Sequence, residues 1–125
     1  MSDPTFRPVL FLKDKCPFCM KIRIFLLESG LWGDVDVRAV TPGTDEEAAI
    51  RAELEPKLEK VSFPAAQTAP GQYMTDSDGI IAHFAGIAGV DPTQMPVLSA
   101  YVEGPFQQIM TLYRENMELK KQLAA

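Results

Sequence analysis

The sequence reads Lys15-Cys16-Pro17-Phe18-Cys19 at the point where its predicted first strand gives way to its predicted first helix. Both cysteines of the 125-residue chain lie in this stretch. Residues 7–12 before it form the short apolar run of a buried strand, and apolar side chains recur at helical spacing over residues 17–29 after it. Pro17 suits the start of this helix. Proline has no backbone N–H, and an N–H in the first helical turn would have no hydrogen-bond partner within the helix.

The next segment predicts a second strand and a second helix. Residues 34–40 alternate polar and apolar side chains, which is typical of a strand. Thr44 and Glu47 form a capping-box pattern that opens a helix. We expect that helix to end near Leu54, because Pro56 disfavours helical backbone at the residue before it.

A hairpin and a third helix follow. Residues 65–68 and 72–75 are short strand-like runs on either side of a turn. Asp76 and Ser77 open a helix with one apolar face, and Gly89 ends it. The order βαβαββα predicts an α/β domain with a mixed four-stranded sheet flanked by helices.

The cysteine pair has the properties of a redox dithiol. Only a thiolate attacks a disulfide, and Cys16 would lie where the first N–H groups and the dipole of the helix favour negative charge. Lys13 and Lys15 add positive charge nearby, and such settings lower a cysteine pKa from about 8.5 to roughly 3.5–7.5. Cys19 falls one turn later on the same face and should be a more buried thiol. We therefore predict Cys16 as the nucleophile and Cys19 as the resolving cysteine.

Other roles for the two cysteines are less consistent with the sequence. A C-x-x-C pair can be half of a zinc site, but His83 is the single histidine and lies in a predicted helix far along the chain. A permanent disulfide is unusual in a reducing compartment. We expect no metal site, and we expect His83 to be a helix-surface or half-buried residue without a catalytic role.

The motif Cys16-Pro17-Phe18-Cys19, with Lys13 three residues before it, resembles the active site of glutaredoxins. The order of elements is that of the thioredoxin fold, and the resemblance covers about residues 7–89. It implies a glutathione-dependent thiol–disulfide oxidoreductase with glutathione as co-substrate and no tightly bound cofactor. It also implies that Phe18 contributes to glutathione binding.

The later part of the domain is similar to the N-terminal domain of glutathione S-transferases. Phe63-Pro64 resembles the X-Pro step that these families place before the third strand, with the peptide bond cis. Asp76-Ser77 resembles the acidic-Ser pair that opens the helix gripping the γ-glutamyl end of glutathione. Ordinary glutaredoxins instead have a Gly-Gly turn here, which this chain lacks.

The chemistry of these residues suits glutathione. The helix N-terminus at Ser77 can bind a carboxylate, and Asp76 can pair with an ammonium group. The backbone at Phe63 could pair with the cysteinyl backbone of glutathione, and Lys13 could meet its glycyl carboxylate. Each residue also has an ordinary structural interpretation: a helix cap, a solvated loop lysine, or a trans proline (Pro64) at the start of a strand.

We assign residues 1–90 to the thioredoxin-like domain and residues 91–125 to a C-terminal helical extension. An a/d seam runs through Val102, Ile109, Leu112, Asn116, Leu119 and Leu123. We expect the extension to pack back on the domain, with a homodimer through this helix as the alternative. It is shorter than the helical domain of transferases, which supplies most of their electrophile pocket.

The charge and composition of the chain limit the classes of partner that it can have. The formal net charge of −5, with acids and bases interspersed, argues against a nucleic-acid partner, and no apolar run is long enough for a membrane span. Residues 1–4 lack the pattern of a secretory signal, so we expect a cytoplasmic protein. Its expected partners are disulfide-containing or glutathionylated proteins. Two alternatives remain: a truncated glutathione S-transferase-like enzyme, and a module binding an iron–sulfur cluster through Cys16 and glutathione.

Overall fold

A computed structural model describes residues 6–124, so residues 1–4, from which we inferred no secretory signal, lie outside it. Within the described range it contains four strands and five α-helices. These are β1 (Val9–Lys13), α1 (Pro17–Ser29), β2 (Asp36–Val40), α2 (Asp45–Leu54), β3 (Ala65–Ala69), β4 (Gln72–Thr75), α3 (Ser77–Ala88), α4 (Pro96–Glu103) and α5 (Pro105–Ala124). Single 3₁₀ turns occur at Trp32–Asp34 and Pro92–Gln94.

The four strands form one mixed sheet in the order β2-β1-β3-β4. β1 pairs in parallel with β2 and antiparallel with β3, and β3 forms an antiparallel hairpin with β4. Leu10 in β1 lies opposite Val37 in β2 and Ala66 in β3. The predicted α/β thioredoxin-like fold, with its order βαβαββα, is confirmed.

Side chains of β1 enter two apolar cores on opposite faces of the sheet. Leu10 and Leu12 pack with buried residues of α1 and α3 on one face. Phe11, between them in sequence, packs with Ile50 and Leu54 of α2 on the other. Because neighbouring residues of a strand point to opposite faces, an uninterrupted apolar run is buried on both sides.

The ends of α1 fix where Cys16 lies. Cys16 is the N-cap residue, and Pro17 is the first residue of the helix, as the sequence predicted. At the other end Gly30 adopts a left-handed conformation with φ 81°, which suits a residue without a side chain. The N–H of Leu31 then donates to the carbonyl of Leu26 at 3.0 Å. α1 therefore begins and ends at the residues that the sequence indicated.

α4 is the part of the extension that packs on the domain. Its Leu98 joins the core formed by α1 and α3. The carboxylate of Glu28 in α1 accepts hydrogen bonds from the N–H groups of Val97 and Leu98 at 2.9 and 2.8 Å. An acidic side chain from α1 thus caps the N-terminus of α4, where the helix dipole favours negative charge.

α5 corrects two expectations about the extension. Phe106 is its one buried residue, so the expected packing on the domain holds for α4 and the first turn of α5 and not for the rest. Val102 belongs to α4, and Gly104 separates it from α5, so it is not part of the seam. The continuous seam therefore starts at Ile109. Within residues 6–124, no helix is both long and apolar enough to cross a membrane.

Candidate functional site

Cys16 lies in the turn between β1 and α1, at the N-terminus of α1. Lys15 before it has a left-handed backbone, with φ 62°, and the N–H of Asp14 donates to the carbonyl of Val40 in β2 at 2.8 Å. These features bring the chain sharply from the sheet into the helix. The sulfur of Cys16 then accepts a hydrogen bond from the backbone N–H of Cys19 at 3.4 Å.

The pKa of Cys16 is lowered to about 6. The largest cause is a hydrogen bond from the thiol of Cys19, which partial burial opposes. The backbone N–H groups of Cys19 and Phe18 lower the pKa further, and the positive charge of Lys13 makes the smallest contribution. Hydrogen bonds to a charged sulfur favour the thiolate because they stabilise that form alone.

Cys19 has the opposite protonation state. It is fully buried, and its sulfur accepts a hydrogen bond from the backbone N–H of Lys13 at 3.3 Å. Its donated hydrogen bond to Cys16 and its burial raise the pKa of Cys19 far above the ordinary thiol value. The pair therefore holds one thiolate and one thiol, the asymmetry that the sequence predicted.

Nearby charges contribute less to the low pKa of Cys16 than hydrogen bonds do. The sequence predicts that Lys13 and Lys15 add positive charge near Cys16; Lys13 is the smallest cause of the lowered pKa, and Lys15, which is exposed, is not among the causes. Asp14 forms an ion pair with Arg23 at 2.9 Å. Because two charges that face solvent are strongly screened, short hydrogen bonds have more effect on the sulfur than lysines at a distance.

Phe63 and Pro64 precede β3, and Phe63 lies next to Lys13. The Phe63–Pro64 peptide bond is cis, as the resemblance implies. Phe63 is half-buried and packs, like Cys16, against the core of α1 and α3. The ammonium group of Lys13 lies 5.9 Å from the centroid of the Phe63 ring. The fold thus brings together Cys16, Lys13 and the Phe63–Pro64 step.

Asp76 and Ser77 begin α3 in the order that the sequence suggested. Asp76 is the N-cap residue, but its side chain makes no capping hydrogen bond and is exposed. Its backbone has φ 80°, a conformation that costs a residue with a side chain about 1–3 kcal/mol. Ser77 is 5% exposed. Simple capping by the Asp76 carboxylate therefore does not explain this residue.

Phe18 contacts the helical extension. Its ring meets that of Phe106 edge to face, with 5.3 Å between the centroids. The ammonium group of Lys21 lies 4.6 Å from the centroid of Phe106 and 2.8 Å from a carboxylate oxygen of Asp78. Phe18 is 39% exposed, so a packing role in this cluster accompanies the ligand-binding role that we predicted for it.

A pocket of about 630 Å³ opens next to Cys16. It is lined by Lys13, Asp14, Lys15, Cys16, Pro17, Met20, Arg23, Tyr101 and Ile109. The hydroxyl of Tyr101 in α4 donates to the carbonyl of Pro17 at 2.8 Å. Sequence reasoning missed Tyr101 as a site residue, because nothing in the local pattern of α4 indicates a contact with Pro17.

His83 lies on the surface of α3, as expected, where its ring contacts Phe84 edge to face. In the part of the chain that the structure describes, no three His, Cys, Asp or Glu side chains are grouped as metal ligands would be.

Comparison with known proteins identifies the family. Residues 10–92 match the family described as "Glutathione S-transferase, N-terminal domain". The chain belongs to this family. Its members have a thioredoxin-like fold, in agreement with the sheet order and the flanking helices. Among curated proteins, none matches the chain.

Solved structures of glutathione transferases share this fold. Glutathione transferase Omega 3C from Trametes versicolor is 24% identical, and the match covers 78% of this chain and 42% of that one with a TM-score of 0.52. Glutathione transferase Omega 2C from the same organism is 20% identical over 66% of this chain and 38% of that one, with a TM-score of 0.50. This chain therefore spans about two-fifths of the length of each of these transferases.

Proposed function

We propose that this member of the glutathione S-transferase N-terminal domain family is a glutathione-dependent thiol–disulfide oxidoreductase. The unequal acidity of the Cys16–Cys19 pair carries the proposal. With its pKa lowered to about 6, Cys16 is mainly thiolate at pH 7, while Cys19 keeps its proton. A thiolate with a neighbouring buried thiol is the arrangement that disulfide exchange requires.

The shorter of two routes uses Cys16 alone. Its thiolate attacks the glutathione sulfur of a mixed disulfide between glutathione and a protein. The bond between the two substrate sulfurs breaks, and the protein thiolate leaves and takes a proton from solvent. A second glutathione thiolate then attacks the Cys16–glutathione disulfide, which releases oxidised glutathione and restores the Cys16 thiolate.

The longer route uses both cysteines. Cys16 attacks a protein disulfide and forms a mixed disulfide with that protein. Cys16 then no longer carries a charge, so a main cause of the raised Cys19 pKa disappears, and Cys19 can lose its proton. Cys19 attacks the sulfur of Cys16, the protein leaves as a dithiol, and two glutathiones reduce the resulting Cys16–Cys19 disulfide.

Glutathione would bind along the surface that joins Phe63 to the start of α3. The backbone of Phe63 is proposed to pair with the cysteinyl backbone of glutathione. The N-terminus of α3 at Ser77 would bind the γ-glutamyl carboxylate, and Asp76 would pair with the adjacent ammonium group. Two observations support these roles: the Asp76 carboxylate is not used as a helix cap, and Lys13 lies beside Phe63.

A second candidate is glutathione transfer to or from a small molecule through Cys16. The pocket next to Cys16 supports it, because Tyr101 and Ile109 of the extension supply one wall. Activity with a halo-aromatic acceptor, in addition to disulfide reduction, would favour this function. Either function suits the cytoplasm, where glutathione keeps thiols reduced.

The deciding experiment compares Cys16→Ser with Cys19→Ser in a glutathione-coupled assay. We expect Cys16→Ser to abolish reduction of both a glutathione mixed disulfide and a protein disulfide. Cys19→Ser should keep the first activity and lose most of the second, because only the dithiol route needs Cys19. Equal activity of the two variants on the mixed disulfide would sink the proposed mechanism.

A further inference from the structure

α5 has an apolar face with no cover from the described part of the chain. Leu112 is 64% exposed and Leu123 is 86% exposed, and Phe106 is the one buried residue of the helix. In proteins, most of the stability of a helix comes from the packing of its apolar face and not from intrinsic helix propensity. α5 therefore has the composition of a helix that packs against another helix.

The spacing of this face is that of a short coiled coil. Its members alternate three and four residues apart along one side of α5: Ile109, Leu112, Asn116, Leu119 and Leu123. Ile109, Asn116 and Leu123 occupy a positions, and both d positions are leucine. Leucine at d favours two strands in parallel, and a single asparagine at an a position fixes register and oligomeric state. The pattern thus selects one geometry among the possible helix pairs.

Charges beside the seam agree with the same geometry. Glu115 occupies a g position and Lys120 the following e position. In a parallel pair, each g residue faces the next e residue of the other helix, so Glu115 would meet Lys120 of the partner subunit. Two-fold symmetry makes this pair twice. Lys121 and Arg114 fall at outward f positions, where they meet solvent in either arrangement.

We propose that α5 forms a parallel two-stranded coiled coil with α5 of a second copy of this chain. The interface is independent of the proposed redox function. The proposed interface also extends to the pocket next to Cys16, because Ile109 is the first a position of the seam and lines that pocket. In the dimer the partner helix therefore lies at the rim of each pocket.

Light scattering of the purified chain over a wide range of concentration tests the pairing. We expect a concentration-dependent dimer. Leu112→Glu should weaken it at least about a hundredfold, since two like charges would be buried at one d layer. Thr111→Glu is the matched control, because it adds the same charge one residue away at an outward c position. A monomer at every concentration, or equal weakening by the two variants, would overturn the proposal.

Cross-linking tests the orientation. In a Cys16→Ser/Cys19→Ser background, Leu123→Cys places a thiol at an a position, where a parallel pair brings equivalent residues together. We expect rapid oxidation to a disulfide-linked dimer, and much slower cross-linking of Lys121→Cys on the outer side. An antiparallel pair would hold the two Leu123→Cys thiols far apart, so a dimer that cross-links no faster at 123 than at 121 would refute the parallel arrangement.

Discussion

At the scale of single residues, the side chain of Cys19 lowers the pKa of Cys16 in the substrate-free protein. Its thiol hydrogen bond is the largest cause of the low Cys16 pKa, ahead of the backbone N–H groups and of Lys13. Cys19, which we propose as the resolving cysteine, therefore also favours the thiolate form of Cys16, the proposed nucleophile. Serine at this position would keep a donor, whereas alanine would not, so the two substitutions separate the roles.

We predict that Cys19→Ala raises the Cys16 pKa from about 6 toward the ordinary value of 9.0, while Cys19→Ser leaves it closer to about 6. Thiolate absorbance against pH measures both values. For the unmodified chain, alkylation of Cys16 should accelerate as pH rises through about 6 and level off above it, because the thiolate reacts and the thiol does not. Identical titration curves for the two variants would contradict the assigned cause.

Tyr101 is the second residue whose effect can be measured alone. Tyr101→Phe removes the hydroxyl that donates to the Pro17 carbonyl and leaves the ring in place. We expect a loss of about 0.5–1.5 kcal/mol in the free energy of unfolding, as for a typical hydrogen bond. Tyr113→Phe, at an exposed position of α5, is the control and should change stability by less than about 0.5 kcal/mol. Denaturant titration would show equal losses if the Pro17 contact had no energetic role.

Cys19 and Tyr101 show which features of single residues the sequence could predict and which it could not. The helix start at Cys16 and the lower pKa of Cys16 than of Cys19 follow from a local pattern and were predicted. The contact of Tyr101 joins residues 84 positions apart, and a hydroxyl bound to a main-chain carbonyl requires no particular residue at its partner position. Nothing in the local sequence distinguishes Tyr101 from an ordinary surface tyrosine.

At the scale of elements, an aromatic cluster under α5 joins the extension to α1, whose N-cap is Cys16. Phe106 contacts Phe18 from the motif and Tyr101 from α4, and the ammonium group of Lys21 lies over its ring. Edge-to-face aromatic pairs contribute about 0.5–1.5 kcal/mol beyond the area that they bury. The first turn of α5 is therefore held in part by Phe18, one of the two residues between the cysteines.

We predict that Phe106→Ala releases the first turn of α5 without unfolding the sheet. The amide hydrogens of residues 108–110 should exchange faster than in the unmodified chain, while those of β1 keep their protection. Ile87→Ala, at an exposed position of α3, is the control and should leave both regions unchanged. Uniformly faster exchange across β1 and α5 would show instead that α5 is part of the same cooperative unit as the sheet.

The ends of α1 were predicted correctly because proline and glycine determine them. The start of the a/d seam was predicted wrongly because the heptad count disregarded a glycine and a proline between two helices. Pro17 and Gly30 set the ends of α1 through missing donors and left-handed backbone. Gly104, whose backbone leaves the helical region at φ −112° and ψ −98°, and the proline after it end α4, yet the heptad count continued across them to Val102. Apolar spacing has meaning for packing only within one uninterrupted helix.

At the scale of the whole molecule, β1 couples the two cores. Neighbouring residues of this strand belong to the two apolar cores. A loss of packing in one core therefore displaces the strand on which the other core is built. The sequence predicted this sandwich because a run of apolar residues without alternation must be buried on both faces. It could not predict which helix covers which face, because that depends on the crossover and packing of the whole chain.

We predict that Leu12→Ala and Phe11→Ala lower the stability of one common unfolding transition. Leu12 is fully buried and Phe11 is 2% exposed, so we expect losses of about 2–5 kcal/mol for the first and about 3–5 kcal/mol for the second. The fluorescence of Trp32 and the circular dichroism of the sheet and its flanking helices should report the same midpoint in each variant. Leu27→Ala, on the exposed side of α1, is the control and should shift that midpoint little. Separate transitions in the Phe11→Ala variant, with Trp32 still in its native environment after the signal from α2 is lost, would show that the two cores unfold independently.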